Sequence, residues 1–290
     1  MSHDKKHIVL CPNPKRDKDF SITLKARELL KDSGFESIIS PIYSHSRDEQ
    51  LLKSINAVPL AQAVENAALI VCFGGDGTFL KAARGAIKEG IPMLGVNMGH
   101  KGFMAELEPN ELELIVKAAS GEYTRVERMM IDVSLYRGGE LIYEDTALND
   151  AVLRATATTL KLCACGDGSR ITEYRGDGVV IATPTGSTAY SLSAGGSLVE
   201  PTAENILLTP ICAHLITARP FVLAPDRVIT ITTKDSGSKQ AWLSVDGGAL
   251  IPFYDGDKLS IKRSRYKTVM ASVAEKSFYD IAFEKLGERL

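Results

Sequence analysis

The 290-residue chain has no surplus of one charge, no long unbroken apolar run and no even set of cysteines. Lys and Arg number 34 and Asp and Glu 36, for a formal net charge of −2. Nucleic-acid-binding domains usually carry a basic excess, so no nucleic-acid partner is expected. The longest apolar region, 206–224, is broken by Pro210, His214, Arg219 and Pro220, which argues against a membrane span. The opening residues run into the apolar stretch Ile8–Cys11, too short for a signal-peptide core. Cys11, Cys72, Cys163, Cys165 and Cys212 are odd in number and scattered. They read as buried, inert thiols in a reducing cytoplasm. Cys163 and Cys165 form the one close pair, but the second half of a zinc site is missing.

Common catalytic signatures are missing as well. There is no Gly-Lys dipeptide and hence no P-loop, and no G-x-G-x-x-G follows a strand. No G-x-S-x-G offers a nucleophile elbow, and the five histidines lack metal-ligand spacing. Gly and Pro, 24 and 12 residues, exclude a low-complexity chain.

What is present begins with alternation. Ile8–Cys11 reads as a strand and Ser21–Ser33 as a helix with Ile22, Ala26, Leu29 and Leu30 on one face. Ser37–Tyr43 reads as a strand, Leu60–Asn66 as a short helix, and Ala68–Phe73 as a strand buried on both faces. A helix over Thr78–Lys88, a strand over Ile91–Val96 and a helix over Pro109–Ala119 follow. This order predicts a doubly wound α/β domain with a mainly parallel sheet over 1–122. Near Tyr123 the character changes. Met130–Tyr136 and Glu140–Tyr143 flank Arg137-Gly138-Gly139 as one hairpin, Leu160–Ala164 and Arg170–Arg175 flank Gly166–Ser169 as a second, and short β-branched runs continue to Val273. A β-rich, sandwich-like domain is expected over 123–273, with a helix over 274–290 that packs back on the first domain.

Three segments can carry chemistry. Gly74-Gly75-Asp76-Gly77-Thr78 follows the buried strand and opens a helix, where open α/β sheets bind ligands. Glycines let backbone N–H groups approach a phosphate, and the helix N-terminus favours negative charge. A carboxylate there needs a metal ion or an attacking hydroxyl whose proton it accepts. The plainer alternative is a tight turn with Asp76 as N-cap. Arg175–Gly196 feeds the strand Val179–Ala182 into a loop dense in hydroxyls, suited to a nucleotide or to an ordinary turn. There Tyr190 stacks on a base or packs in the core. Asn149-Asp150 by itself is common turn chemistry.

Together the three segments resemble the bacterial NAD kinases, which use ATP to phosphorylate the adenosine-ribose 2′-hydroxyl of NAD. Gly74–Thr78 is similar to that family's GGDG motif, Asn149-Asp150 to its N-E/D motif, and Arg175–Gly196 to its long Gly- and Thr-rich motif. The resemblance implies Asp76 as general base, with Gly77 beside it in the nucleotide site. It implies Asn149, Asp150, Arg175, Asp177, Thr188, Ala189, Tyr190, Ser191, Leu192 and Ser193 as NAD-binding residues. ATP phosphates are expected at Gly74, Gly75 and Thr78, and Lys81, one turn into the following helix, is expected either to meet them or to be a solvated helix-face lysine. The resemblance further implies magnesium or another divalent cation with ATP, a cytoplasmic setting, and a homodimer or homotetramer with NAD between the two domains. The chain departs from the family at Lys101 and Met104, each where leucine is common, and at Gly247-Gly248, which follow Asp246. Lys101 is expected to face solvent or to meet an anionic ligand. A lipid or sphingoid kinase shares the glycine turn, but Arg175–Gly196 favours the NAD kinase reading. A non-catalytic NAD(P) sensor would gain nothing from Asp76 among phosphates.

Overall fold

The computed structural model describes residues 6–42, 53, 55–87, 89–99, 102–234, 241–274 and 277–287. Along the chain run β1 (His7–Pro12), α1 (Ser21–Asp32), β2 (Ser37–Ile39), α2 (Leu60–Ala63), β3 (Ala67–Gly74), α3 (Asp76–Ala86), β4 (Met93–Asn97), α4 (Glu113–Ala119) and β5 (Thr124–Arg137). Then come β6 (Glu140–Ala147), β7 (Asp150–Ala155), β8 (Leu160–Gly166), β9 (Ser169–Gly176), β10 (Gly178–Ala182), α5 (Tyr190–Ser193), β11 (Ile206–Ile211) and β12 (Phe221–Leu223). Last are β13 (Ile229–Lys234), β14 (Ala241–Val245), β15 (Ile251–Phe253), β16 (Lys258–Ser272) and α6 (Phe278–Gly287). Among the described residues no helix is long and apolar enough to cross a membrane.

The chain forms two compact units, Met1–Glu127 with Thr268–Leu290, and Arg128–Lys267. The dividing points fall inside the long strands β5 and β16. Charges in 262–267 hid the continuity of β16, which sequence patterning splits into Lys258–Lys262 and Thr268–Val273.

The first unit is the expected α/β domain. Its strands are ordered β2-β1-β3-β4-β16 and every pairing is parallel. Parallel strands covered on both faces read as continuous apolar runs, and Leu69 to Gly74 of β3 are all buried. Ala26 and Leu30 of α1, Ile115 and Ala118 of α4, and Leu10, Val71 and Leu94 of the sheet share one apolar cluster. Glu106 holds the end of β16, accepting from Ser272 Oγ and the Val273 and Ala274 N–H groups.

The second unit is β-rich. One sheet runs β12-β11-β10-β7-β14-β15, antiparallel throughout. In the other, β8 pairs with β9 and β13, and β13 with β16, also antiparallel. Alternation points Leu160, Leu162 and Ala164 of β8, Ile229 and Ile231 of β13, and Val179 and Ile181 of β10 into one core. The other face of β10, Val180 and Ala182, is covered by Tyr190, Ala194 and Val199. The loop after β10 therefore folds back over its own strand.

The cysteines correct the sequence reading in part. Cys11 and Cys72 are buried on neighbouring strands, paired in register. Cys163 and Cys165 are only half-buried, with Sγ atoms 3.9 Å apart, and Cys212 is exposed. Core-facing positions of β8 are taken by Leu160, Leu162 and Ala164, so the cysteines between and beyond them face outward.

Candidate active site

In the first unit the site grows from the carboxyl ends of β1, β3 and β4. Leaving β1, Asn13 fastens its loop to the glycine turn: Asn13 Nδ2 donates to Thr78 Oγ1 at 2.9 Å, and Asn13 Oδ1 accepts from the Lys15 N–H. Gly74 ends β3. A side chain there would collide with Thr78, so glycine is required by close packing. Gly75 and Gly77 differ: a Cβ on either would meet nothing within 4 Å. Their bare backbone lies in open space at the start of α3, where orphan N–H groups and the helix dipole favour an anion. Lys81 is exposed one turn into α3, whereas Thr78 is buried and its hydroxyl is engaged by Asn13.

Gly75 is the N-cap of α3, which displaces the alternative of Asp76 as cap. The Asp76 carboxylate turns to the chain beyond β4 instead. Oδ2 accepts the Phe103 N–H at 3.0 Å and Oδ1 accepts the Met104 N–H at 3.1 Å. Gly102 makes this approach possible, because any Cβ there would collide with the carboxylate. A carboxylate has about four acceptor positions, so these two bonds orient it and leave room for a proton. His100 and Lys101 lie outside the described residues, and with them the expectation for Lys101.

In the second unit Asp150 opens β7 and Asn149 immediately precedes it. They are set by Asp246, in the turn after β14 with φ of +47°. Asp246 Oδ2 accepts the Leu148 N–H at 2.8 Å, and Oδ1 accepts those of Asn149 and Asp150 at 2.8 and 3.0 Å. The loop after β10 closes on the same place. Thr183 N–H donates to the Asn149 carbonyl, Thr183 Oγ1 donates to Leu148 O and accepts the Gly186 N–H, and a Cβ at Gly186 would collide with Asn149 O. Asn149 Oδ1 and Thr185 Oγ1 are buried there without a hydrogen-bond partner. Buried polar atoms are almost always paired, so each of these two oxygens is left able to accept a further donor.

The other sequence candidates divide. Thr188 to Ser193 follow this loop through a 3-10 turn into α5. The Ser191 hydroxyl is spent inside, 2.9 Å from Thr209 Oγ1, and Tyr190 packs on the outer face of β10 with its hydroxyl 3.5 Å from Arg154 Nη1. Arg175 and Asp177 lie elsewhere. Ala182 pairs with Asp150 but Gly178 with Arg154, so they stand at the other end of β7 and β10 from Asn149. Four residues of strand amount to about 13 Å. Sequence reading missed Asp246 as a site-building residue. Its signal was Asp-Gly-Gly after an alternating strand, a turn that accepts positive φ.

Burial first, and then the nearby Asp246 carboxylate, push the Asp150 carboxyl from its ordinary 3.8 up to about 7. A value raised on folding means the folded chain keeps a proton that the unfolded chain has released. The resulting stability is complete below about pH 4 and is lost as pH rises through about 7. Urea midpoints should fall across that window in the parent and much less in Asp150→Asn. Equal slopes in the two proteins would assign the pH dependence to other groups.

Residues 13–123 match the family model described as ATP-NAD kinase N-terminal domain, and residues 148–273 that described as ATP-NAD kinase C-terminal domain. A curated NAD kinase from Acetivibrio thermocellus is 39% identical over 287 residues, covering 97% of both chains. Among solved structures, yeast NADH kinase complexed with NADH aligns with a TM-score of 0.85 at 27% identity, covering 98% of this chain and 89% of that one. The fold is also that of an NAD kinase from Archaeoglobus fulgidus solved with ATP, with a TM-score of 0.74, 24% identity and coverage of 97% and 98%.

Proposed function

Because the chain belongs to the NAD kinase family, we propose that Asp76 is the base that takes the proton from the adenosine-ribose 2′-hydroxyl of NAD as ATP phosphorylates it. The enzyme is a phosphotransferase that turns NAD into NADP. The 2′-oxygen forms the new bond to the γ-phosphorus, the bond from that phosphorus to the β,γ-bridging oxygen breaks, and ADP leaves. Such transfer depends on positioning and charge neutralisation more than on covalent help. A ribose hydroxyl is a poor nucleophile until a base accepts its proton, a contribution of about 10²–10⁴-fold.

The observation that carries this role is the pair of backbone bonds fixing the Asp76 carboxylate at the carboxyl end of β3, beside the bare glycine turn. Gly75 offers its N–H group to the ATP phosphates, with Lys81 as a cation one turn on, and Gly77 lies beside Asp76 on the NAD side. Thr78 braces the turn from below, since its hydroxyl already serves Asn13. A divalent cation, magnesium in our reading, arrives with ATP as part of the donor substrate. Asn149 and Asp150 hold the adenine and ribose of NAD, and Thr188, Ala189, Tyr190, Leu192 and Ser193 line the dinucleotide site, with the buried Ser191 bracing them through Thr209. We assign Arg175 and Asp177, remote from Asn149 along the strands, to the dinucleotide of an adjoining protomer in a cytoplasmic homodimer or homotetramer.

Incubation with NAD, ATP and magnesium, followed by an NADP-specific dehydrogenase, tests the activity. Failure to form NADP would overturn it. Asn149→Ala and Asp150→Ala should each weaken NAD binding by about 1–3 kcal/mol while slowing the chemical step less. Calorimetry giving parental NAD affinity in both variants would remove these residues from the binding site.

A further inference from the structure

Arg16 lies in the loop after β1, and its guanidinium rests against Gly99, just past β4. A Cβ on Gly99 would stand 2.9 Å from Arg16 Nη1, so the absence of a side chain there makes room for the cation. The sheet order is β1-β3-β4, with Pro12 beside Phe73 and Gly74 beside Asn97. A side chain that starts after β1 and touches the chain beyond β4 must cross the end of β3. There the chain enters Gly75–Gly77. The backbone on both sides is tied down: Asn13 N–H donates to Phe73 O, Arg16 N–H to Asn13 O, and Met98 N–H to Gly74 O.

Carboxylates on the adjoining chain are already committed. Asp17 accepts from Ile22 N–H, Thr23 N–H and Thr23 Oγ1, and Glu108 accepts from Asn97 Nδ2. Among the described residues none pairs with the Arg16 guanidinium. An unpaired planar fork across a glycine turn suits an oxyanion with several oxygens, because guanidinium binds phosphate through two parallel N–H bonds.

We infer that Arg16 binds the phosphates of the donor nucleotide above the glycine turn, and that Gly99 sets its position. This rests on the NAD kinase reading for the identity of the donor.

The test compares ATP affinity with NAD affinity. Arg16→Ala should raise the KM for ATP about ten- to hundredfold and leave the KM for NAD nearly unchanged. Arg16→Lys keeps the charge but loses the fork, and should lie between parent and Arg16→Ala. Gly99→Ala leaves Arg16 in place but pushes its flexible end aside, so the ATP KM should rise there too. Calorimetric ATP binding reads the same loss without turnover, so a parent that binds ATP but forms no NADP would defeat only the kinase reading. Parental ATP affinity in Arg16→Ala, or equal weakening for ATP and NAD, would overturn the assignment.

Discussion

Asp76→Asn should bind NAD as the parent does and turn it over about 10²-fold or more slowly. The amide has the shape of the carboxylate but cannot take the 2′-hydroxyl proton. The substitution has a second, structural effect. Both carboxylate oxygens now accept backbone N–H groups, from Phe103 and Met104. An asparagine satisfies one of them and presents an NH₂ group to the other, at a cost of about 1–3 kcal/mol. Lower thermal stability is therefore expected beside the catalytic loss, and kcat should be measured well below the variant's melting temperature. Single-turnover rates separate the two effects, since folded protein with intact NAD binding should still show the slow step. A folded variant with near-parental turnover would take Asp76 out of the base role.

Asp246→Ala should be the most destabilising of the substitutions considered for the second unit. One carboxylate there serves the N–H groups of Leu148, Asn149 and Asp150. Removing it strands three donors, and each bond to a charged acceptor contributes about 1.5–3 kcal/mol. Alanine, with no polar side chain to hydrogen-bond locally, also tolerates φ of +47° less well than aspartate. A lower urea midpoint and a loss of NAD affinity are expected together, because the same bonds aim Asn149 and Asp150. Asp246→Gly separates the causes: it relaxes the backbone but still lacks the carboxylate. Parental stability and NAD affinity in the glycine variant would show that the carboxylate does not organise the site. Withdrawal of the Asp246 charge should also lower the Asp150 carboxyl from its raised value, though only in part, since burial is the larger cause.

The α/β and β-rich halves were legible in the chain because hydrophobic periodicity reports burial directly. Ala68–Phe73 read as a strand covered on both faces, and Leu69 to Gly74 of β3 are buried; Leu160–Ala164 read as one strand of a hairpin, and β8 contains it. The glycine turn after β3 was likewise visible, since few other segments place glycines and a carboxylate between a buried strand and a helix. Only tertiary structure decided how that carboxylate is held, that Asp246 builds the Asn149 turn, and that Arg16 crosses β3. The partners are 27 residues apart for Asp76 and Phe103, and 97 for Asp246 and Asn149. Each of those two bonds joins a side chain to a backbone N–H, which every residue but proline possesses. No residue type at the donating backbone position records such a bond, so it becomes visible only when the chain has folded and brought the two together.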